Sequence, residues 1–485
     1  MTLEINHVPN WDGVDNPWLP VVDHPPLPCQ DGGSDVAKSR TANQLFYGDN
    51  LHYLREHERE SVDLIYLDPP FNSKANYNLL YRTPQGDAIQ AQTTAFQDTW
   101  WWDTPAAVAF DDVVASGSRA APILIALKSY LGESDLMAYL AMMSVRLVEM
   151  HRILRPTGSL YLHCDPTASH YLKLILDGIF GFENFKNEIT WKRTAAHGDS
   201  RTWSRVADKI LFYTRTQDFT WNIPYEPHSD SYVSSHYSNA DADGRRFQLT
   251  SILSPSPRPN MMYEWKGFPS PPMGWRYSRE TMADLDRRGM IWYPRTKSGA
   301  LDTAKRPRYK RYLDEQKGNV LTTIWTDIPP VNARAKERMG YPTQKPVVLL
   351  ERILAASSNP GDIVLDPFCG CGTTIEAAQR LDRRWIGIDV THHAIDVIEG
   401  RLDERCPKAS YKVTGRPENL SEARDLAKRD AYEFQWWANW LVGVQNYLEH
   451  KKGADKGIDG LIYFKNGPRG IGKVIVSVTP SWLRL

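Results

Sequence analysis

The stretch "DIVLDPFCGCGTTIEAAQRLDRRWIGID", Asp362 to Asp389, decides the fold. An apolar, β-branched run ends in Asp366. A tight turn with two small gaps, Gly370 and Gly372, leads into the helix-forming "TTIEAAQRL". A second apolar run then ends in Asp389. Strand, turn, helix, strand is the repeat of a doubly wound α/β sheet. Nucleoside cofactors bind at the carboxyl ends of such strands, where glycines let the backbone approach. An acid at the tip of the second strand suits ribose hydroxyls. The turn lacks both the full G-x-G-x-x-G of dinucleotide binders and the G-K-S/T of phosphate loops, so the expected ligand has a nucleoside but no phosphate chain. S-adenosylmethionine fits, with Asp366 near its amino end. An ordinary Gly-rich strand-to-helix turn fits these residues as well.

A second stretch answers to the first. "VDLIYLDPPFNS", Val62 to Ser73, is a continuous apolar run closed by an acid, two prolines and a ring. Continuous rather than alternating hydrophobicity predicts a parallel strand covered on both faces. An exocyclic amine on a base is a poor nucleophile, because its lone pair is delocalised into the ring. Two acceptors, the Asp68 carboxylate and the Pro69 carbonyl, can draw hydrogen bonds from it and push the nitrogen toward tetrahedral geometry. Pro69 and Pro70 fix the backbone so that the acceptors converge. Phe71 offers a flat face for the base. A base in a duplex reaches such a pocket only by flipping out. The plain alternative is a strand closed by a rigid turn.

The bulk properties narrow the class. A chain of 485 residues gives a soft expectation of about three domains. Hydrophobic residues make up 41% and charged residues 24%, as in an ordinary globular protein. No run approaches a membrane span, and "MTLEINHVPNWDG" has neither the basic start nor the apolar core of a signal peptide. The expected location is the cytoplasm. Five cysteines imply no disulfide framework. The formal net charge is zero, so nucleic-acid contact must come from a local patch.

Taken together, the motifs resemble the permuted (beta-group) DNA amino-methyltransferases, the adenine-N6 and cytosine-N4 family in which the catalytic motif precedes the cofactor motif. The resemblance spans about residues 44–405. It is carried by "GDN" at 48–50, "DPPFN" at 68–72, "RPTGSLYLHCD" at 155–165, "TQKP" at 343–346, "DPFCGCGTT" at 366–374 and "GID" at 387–389. It implies a Rossmann-like α/β sheet of seven strands, mostly parallel with one antiparallel, circularly permuted and with an inserted target-recognition module. Asp68, Pro69, Pro70 and Phe71 would hold the target amine and base. Asp366, Phe368, Gly370, Gly372 and Thr373 would line the S-adenosylmethionine pocket, and Asp389 would take the ribose. Gln344 and Lys345 would open a helix and flank the methionine end of the cofactor. Asp49 would lie near the adenine. The acid of "DPPF" leans toward adenine N6, since the cytosine-N4 enzymes more often carry serine there. The expected reaction is site-specific methylation of a flipped-out adenine in double-stranded DNA. Cytosine-N4 methylation is the runner-up.

The organisation follows from composition. Residues 1–43 read as an irregular leader, and 44–194 as the catalytic half. The Pro-, Trp- and Arg-rich 195–335 reads as the recognition module, 336–410 as the cofactor half and 411–485 as a separate tail. In the module, "KRPRYKRY" places Lys305, Arg306, Arg308, Lys310 and Arg311 beside Tyr309 and Tyr312. Those cations suit DNA phosphates, or belong to a solvated basic loop. Cys29 in "PCQ", the C-x-C pair Cys369 and Cys371, and the pair His392 and His393 read as coincidence, turn filling and packing rather than as a nucleophile or metal site. Asp165 either shapes the pocket or supports the strand. The tail resembles a truncated restriction-endonuclease-like core, with Glu433 and Asp459 as acids. Thr479 stands where lysine is expected, which predicts a nuclease remnant without cleavage activity. A bifunctional restriction-modification protein is the alternative, and a homodimer or restriction-system partner the further expectation.

Overall fold

Val62–Leu67 is buried along its whole length, and its side chains alternate between two cores. Ile65 and Leu67 enter one; Leu64 and Tyr66 enter the other. This is the pleat of a strand covered on both faces. Burying one such aliphatic side chain stabilises the fold by roughly 1.5–3 kcal/mol. The structure is a computed structural model that describes residues 43–70, 76–82, 88–97, 100–195, 202–332, 334–341, 343–429, 434–435, 437–438, 441, 445–446, 460–466 and 470–476.

The chain divides into two compact units, one of residues 1–221 and 324–485 and one of residues 222–323. The first is built on a single sheet of nine strands. In chain order they are β1 (Asn43–Tyr47), β2 (Val62–Leu67), β3 (Leu154–Cys164), β4 (Phe185–Lys192), β5 (Ala207–Thr214), β6 (Ile324–Trp325), β7 (Ile363–Asp366), β8 (Arg384–Asp389) and β9 (Tyr411–Thr414). Their order across the sheet is β6-β4-β5-β3-β2-β7-β8-β1-β9. Within it β5 runs antiparallel to β3 and β4, and the other neighbours are parallel. The expected seven strands are therefore nine. The two edge strands, two and four residues long, are too short to show a periodic pattern in sequence.

Helices cover both faces. Asn50–Glu56, Thr104–Ala115, Ala120–Leu131, Asp135–Ile153 and Ser169–Phe180 pack on the core that holds Ile65. Val347–Ser357, Thr373–Arg380 and His392–Arg405 pack on the core that holds Leu64. Asp63 pins the register in the middle: one oxygen accepts from the Ile363 amide at 2.8 Å, the other pairs with Arg155 at 2.7 Å. Among the described residues no helix is long and apolar enough to cross a membrane.

The second unit has its own four-stranded antiparallel sheet, in the order Ile291–Trp292, Arg308–Tyr312, Arg246–Ser251, Asn239–Ala240. Trp265, Phe268, Trp275, Met282 and Tyr312 form its core. In the tail, Gly460–Asn466 and Gly470–Val476 pair as antiparallel strands. Glu433, Asp459 and Thr479 lie outside the described residues, as do the leader to residue 42 and Cys29.

Candidate active site

Three acids end three adjacent strands. In register, Leu365 of β7 pairs with Ile65 of β2, and Asp366 pairs with Gly387 of β8. Asp68, Asp366 and Asp389 therefore sit at the carboxyl edge of neighbouring strands, where a doubly wound sheet binds ligands.

The glycine turn after β7 is held by its own hydrogen bonds. Asp366 accepts from the Phe368 amide at 3.1 Å. Asp389 accepts from the Gly370 amide at 2.9 Å, and from the amide and hydroxyl of Thr391 at 2.9 Å each. Burial pushes the Asp366 carboxyl up to about 7, against a hydrogen bond from Thr374 that holds it down. Burial raises Asp389 as well. Gly372 caps the helix Thr373–Arg380 at φ +74°, and a Cβ there would lie 2.8 Å from Ile398. Gly370, at φ +49°, lies under the Tyr341 ring. Both glycines are required by backbone conformation and by close approach. Thr373 is buried and donates to the Lys345 carbonyl at 3.3 Å. Phe368 is partly buried against the sheet core.

The turn after β2 is different. Pro69 is buried and Pro70 half-buried; Phe71 lies outside the described residues. One Asp68 oxygen, Oδ2, accepts from the buried Lys345 ammonium. The other, Oδ1, is buried with no donor among the described residues. Leaving a buried acceptor unmade costs about 1–3 kcal/mol in general, so this oxygen keeps the capacity to take a further donor.

The other candidates are held by contacts of their own, and one expectation, the helix start, is corrected. Lys345 meets Asp68, and the helix after "TQKP" begins at Val347 rather than at Gln344. Gln344 braces its own loop, donating to the Glu337 carbonyl at 2.5 Å and accepting from the Met339 amide at 2.8 Å. Asp49 caps the helix Asn50–Glu56 and pairs with Arg146 at 2.8 Å. Its neighbour Asn50 is the residue that touches the glycine turn, donating to the Pro367 carbonyl at 2.7 Å while accepting from Arg146 at 2.6 Å. A single arginine in the apolar run "AMMSVRLVEM" was the available signal for that contact. Asp165 closes an Asx turn onto Thr167 and is not buried. Cys369 and Cys371 are buried turn fillers, and His392 is buried at a helix start.

Sequence reading also missed a buried chain behind the acid. Tyr66, two residues before Asp68, shares a hydrogen bond with His163 of β3 at 2.9 Å. His163 meets Asp208 of β5 at 3.1 Å, and Arg193 reaches the same carboxylate at 3.1 Å. Burial alone would raise Asp208, but the hydrogen bond and charge of His163 hold it below its usual range. "LHCD" carried the histidine, inside a strand that reads as pure core.

In the second unit, Lys305, Arg308 and Arg311 are exposed, the last bonded to Gln316 at 2.6 Å. Lys305 pairs with Asp302 at 3.1 Å. Arg306 donates to the Pro269 carbonyl at 2.6 Å, and Lys310 pairs with Asp241 at 2.6 Å. Tyr312 is core, and Tyr309 packs against that core.

A doubly wound sheet with acids around a glycine turn at its carboxyl edge defines a nucleoside-binding enzyme of the α/β class. The profile of the DNA methylase family N6_N4_Mtase matches residues 62–400, and the chain belongs to that family. Type II methyltransferase M.EcaI of Enterobacter cloacae is 31% identical over 405 residues, covering 80% of this chain and 78% of its own. DNA adenine methyltransferase YhdJ of Escherichia coli K12 is 39% identical over 137 residues, covering 27% of this chain and 44% of its own. Among solved structures, the M1.HpyAVI–SAM complex has 14% identity and a TM-score of 0.36, covering 74% of this chain and 98% of that one. The family's methyl donor is S-adenosylmethionine.

Proposed function

We propose that the protein methylates N6 of a flipped-out adenine at specific sites in double-stranded DNA. One observation carries this reading: Asp68 presents a buried, undonated oxygen next to the fixed Pro69 carbonyl, beside the strand that bears the cofactor turn. Two converging acceptors are what an exocyclic amine needs. The choice of adenine rests on an acid, not a serine, before Pro-Pro, and on the relative named as an adenine methyltransferase.

The donor set suits the cofactor. Carboxylates at Asp366 and Asp389 match an ammonium and a ribose diol, and no group there is built for a phosphate chain. When bound, S-adenosylmethionine supplies an electrophilic methyl group. Asp68 and Pro69 would accept hydrogen bonds from the two amine N–H groups and turn the nitrogen lone pair toward that methyl for in-line attack. Pro70 holds the turn rigid, and Phe71 stacks on the base. Gln344, Thr373 and Phe368 shape the cofactor side, and Asp49 supports it through Asn50.

The sheet-bearing segments on either side of residues 222–323 make one circularly permuted catalytic domain of the beta group, and the unit 222–323 reads the target. The expected module bounds of 195 and 335 give way to 222 and 323, because Ala207–Thr214 and Ile324–Trp325 are strands of the large sheet. Lys305, Arg306, Arg308, Lys310 and Arg311 contact phosphates. The segment after β9 is restriction-endonuclease-like and, with Thr479 where lysine is expected, has no cleavage activity. Its first four expected residues, Tyr411–Thr414, belong to the large sheet instead. The protein works in the cytoplasm within a restriction-modification system, as a homodimer or with a restriction partner.

The test is methyl transfer from labelled S-adenosylmethionine to unmethylated genomic DNA, with the product digested to nucleosides and identified by mass spectrometry. N6-methyladenine is the expected product. N4-methylcytosine would overturn the base assignment, and no labelled base would overturn the reading.

A further inference from the structure

Lys345 was expected at the cofactor's methionine end, yet its ammonium lies on the catalytic carboxylate. Both side chains are largely buried, at 9% and 16% exposure. A buried ammonium is held only where charge and hydrogen bonding compensate it. Its backbone is fixed on the cofactor side, because Thr373, first residue of the helix after the glycine turn, donates to the Lys345 carbonyl. Thr373 is in turn reached at 3.2 Å by Arg401, which also donates to the Cys371 carbonyl at 2.9 Å. A continuous set of bonds therefore runs from the glycine turn to Asp68.

A carboxylate can turn about its Cβ–Cγ bond and offers two equivalent oxygens. With Oδ2 on Lys345 the plane is fixed and one oxygen is left for an incoming donor. An ammonium has three hydrogens and no lone pair, so it cannot compete for that donor.

We propose that Lys345 is a positioning residue for methyl transfer: it holds Asp68 by Oδ2 so that Oδ1 alone faces the target amine. The proposal rests on the methyltransferase reading above. It assigns to Lys345 a role in the rate of transfer and not in cofactor binding.

The experiment measures single-turnover methyl transfer at saturating S-adenosylmethionine, and S-adenosylmethionine affinity by calorimetry. The proteins are wild type, Lys345→Met, Lys345→Arg, Asp68→Ala and the Asp68→Ala/Lys345→Met double variant. Lys345→Met is expected to lose transfer rate on the order of 100-fold, the scale of a misplaced reacting group, with cofactor affinity unchanged. Lys345→Arg is expected to recover much of that loss, since it restores a cation at the carboxylate. In the Asp68→Ala background, Lys345→Met is expected to add nothing further, because a residue that acts only through Asp68 has no effect once Asp68 is gone. The double variant also carries no buried unpaired carboxylate, so it keeps the comparison usable should Lys345→Met fold poorly. Weakened cofactor affinity with an undiminished rate at saturation would overturn the proposal and return Lys345 to the cofactor. Additive losses in the double variant would overturn it too. A wild type that transfers no methyl group would instead overturn the methyltransferase reading itself.

Discussion

Two turns lie side by side at one edge of the sheet, and they are built on opposite principles. In the turn 366–374 the acids are satisfied from within: Asp366 holds the Phe368 amide, and Asp389 holds Gly370 and Thr391. In the turn after β2, Asp68 is satisfied on one oxygen only. The first turn is a preformed cradle whose shape does not wait for a ligand. The second, among the described residues, is an incomplete hydrogen-bond set, which the proposed reading completes with a substrate amine. On the proposed reading, binding and chemistry are separated between neighbouring strands, and each should break without the other.

The sharpest break of the cradle is Asp366→Ala. If Asp366 meets the cofactor's ammonium, the loss of a charge-assisted hydrogen bond of about 1.5–3 kcal/mol should weaken S-adenosylmethionine binding by roughly 10- to 150-fold. Calorimetry of the variant measures it; an unchanged affinity would remove Asp366 from the pocket. Gly372→Ala should come next. A left-handed φ costs a side chain roughly 1–2 kcal/mol, and the contact with Ile398 adds to it. Denaturant unfolding should show a loss of at least that size, with cofactor binding weakened alongside.

The raised Asp366 carboxyl gives a pH signature. Folded, it titrates near 7; its unperturbed value is 3.8. Between these values the folded state keeps a proton that the unfolded state has lost, so this group's contribution to stability falls as pH rises from about 4 to about 7 and then levels off. Asp366→Asn should therefore raise the melting temperature more at pH 8 than at pH 5. An ammonium beside Asp366 favours its ionised form, so cofactor binding should release a proton near neutral pH and weaken below it. Titrations in buffers of different ionisation enthalpy measure that proton. The smallest effect is expected in the second unit. Removing one exposed cation, Arg308→Ala, should weaken DNA binding about equally on all sequences and lower the salt slope by roughly one unit. A loss confined to one target sequence would make Arg308 a base reader.

Much of the site could be read in the chain, because its parts are strand ends and turns with their own local logic. The positions of Asp366, Asp389, Gly370 and Gly372 at strand ends and turn followed from the strand-turn-helix-strand order, while their assignment to a cofactor came from the family resemblance. The place of Asp68 and Pro69 at a strand end followed from the two prolines, while their proposed role needed the second motif beside them. The partners were harder to see, because they come from distant positions and look locally like something else. Lys345 reads as a helix-opening lysine, but the sheet brings it to Asp68, whose strand lies far away in sequence. Asn50 and Arg146 read as a turn residue and an interruption of an apolar helix. His163 and Asp208 read as strand interior and strand start, and only the pairing of β3 with β5 joins them. The edge strands escaped for a simpler reason: two or four residues carry no period. In the second unit the basic run read as one patch, yet the strand puts Arg308 and Lys310 on one face and Arg311 on the other, and Lys310 is tied into an ion pair.

The most direct test of the central claim is the rate of N6-methyladenine formation by Asp68→Ala at saturating S-adenosylmethionine, with cofactor affinity measured on the same sample. If Asp68 Oδ1 orients the amine, the rate should fall on the order of 100- to 1,000-fold, the scale for removing one preorganised partner of the transition state, while affinity for the cofactor stays as in the wild type. A variant that methylates adenine at the wild-type rate would contradict the account.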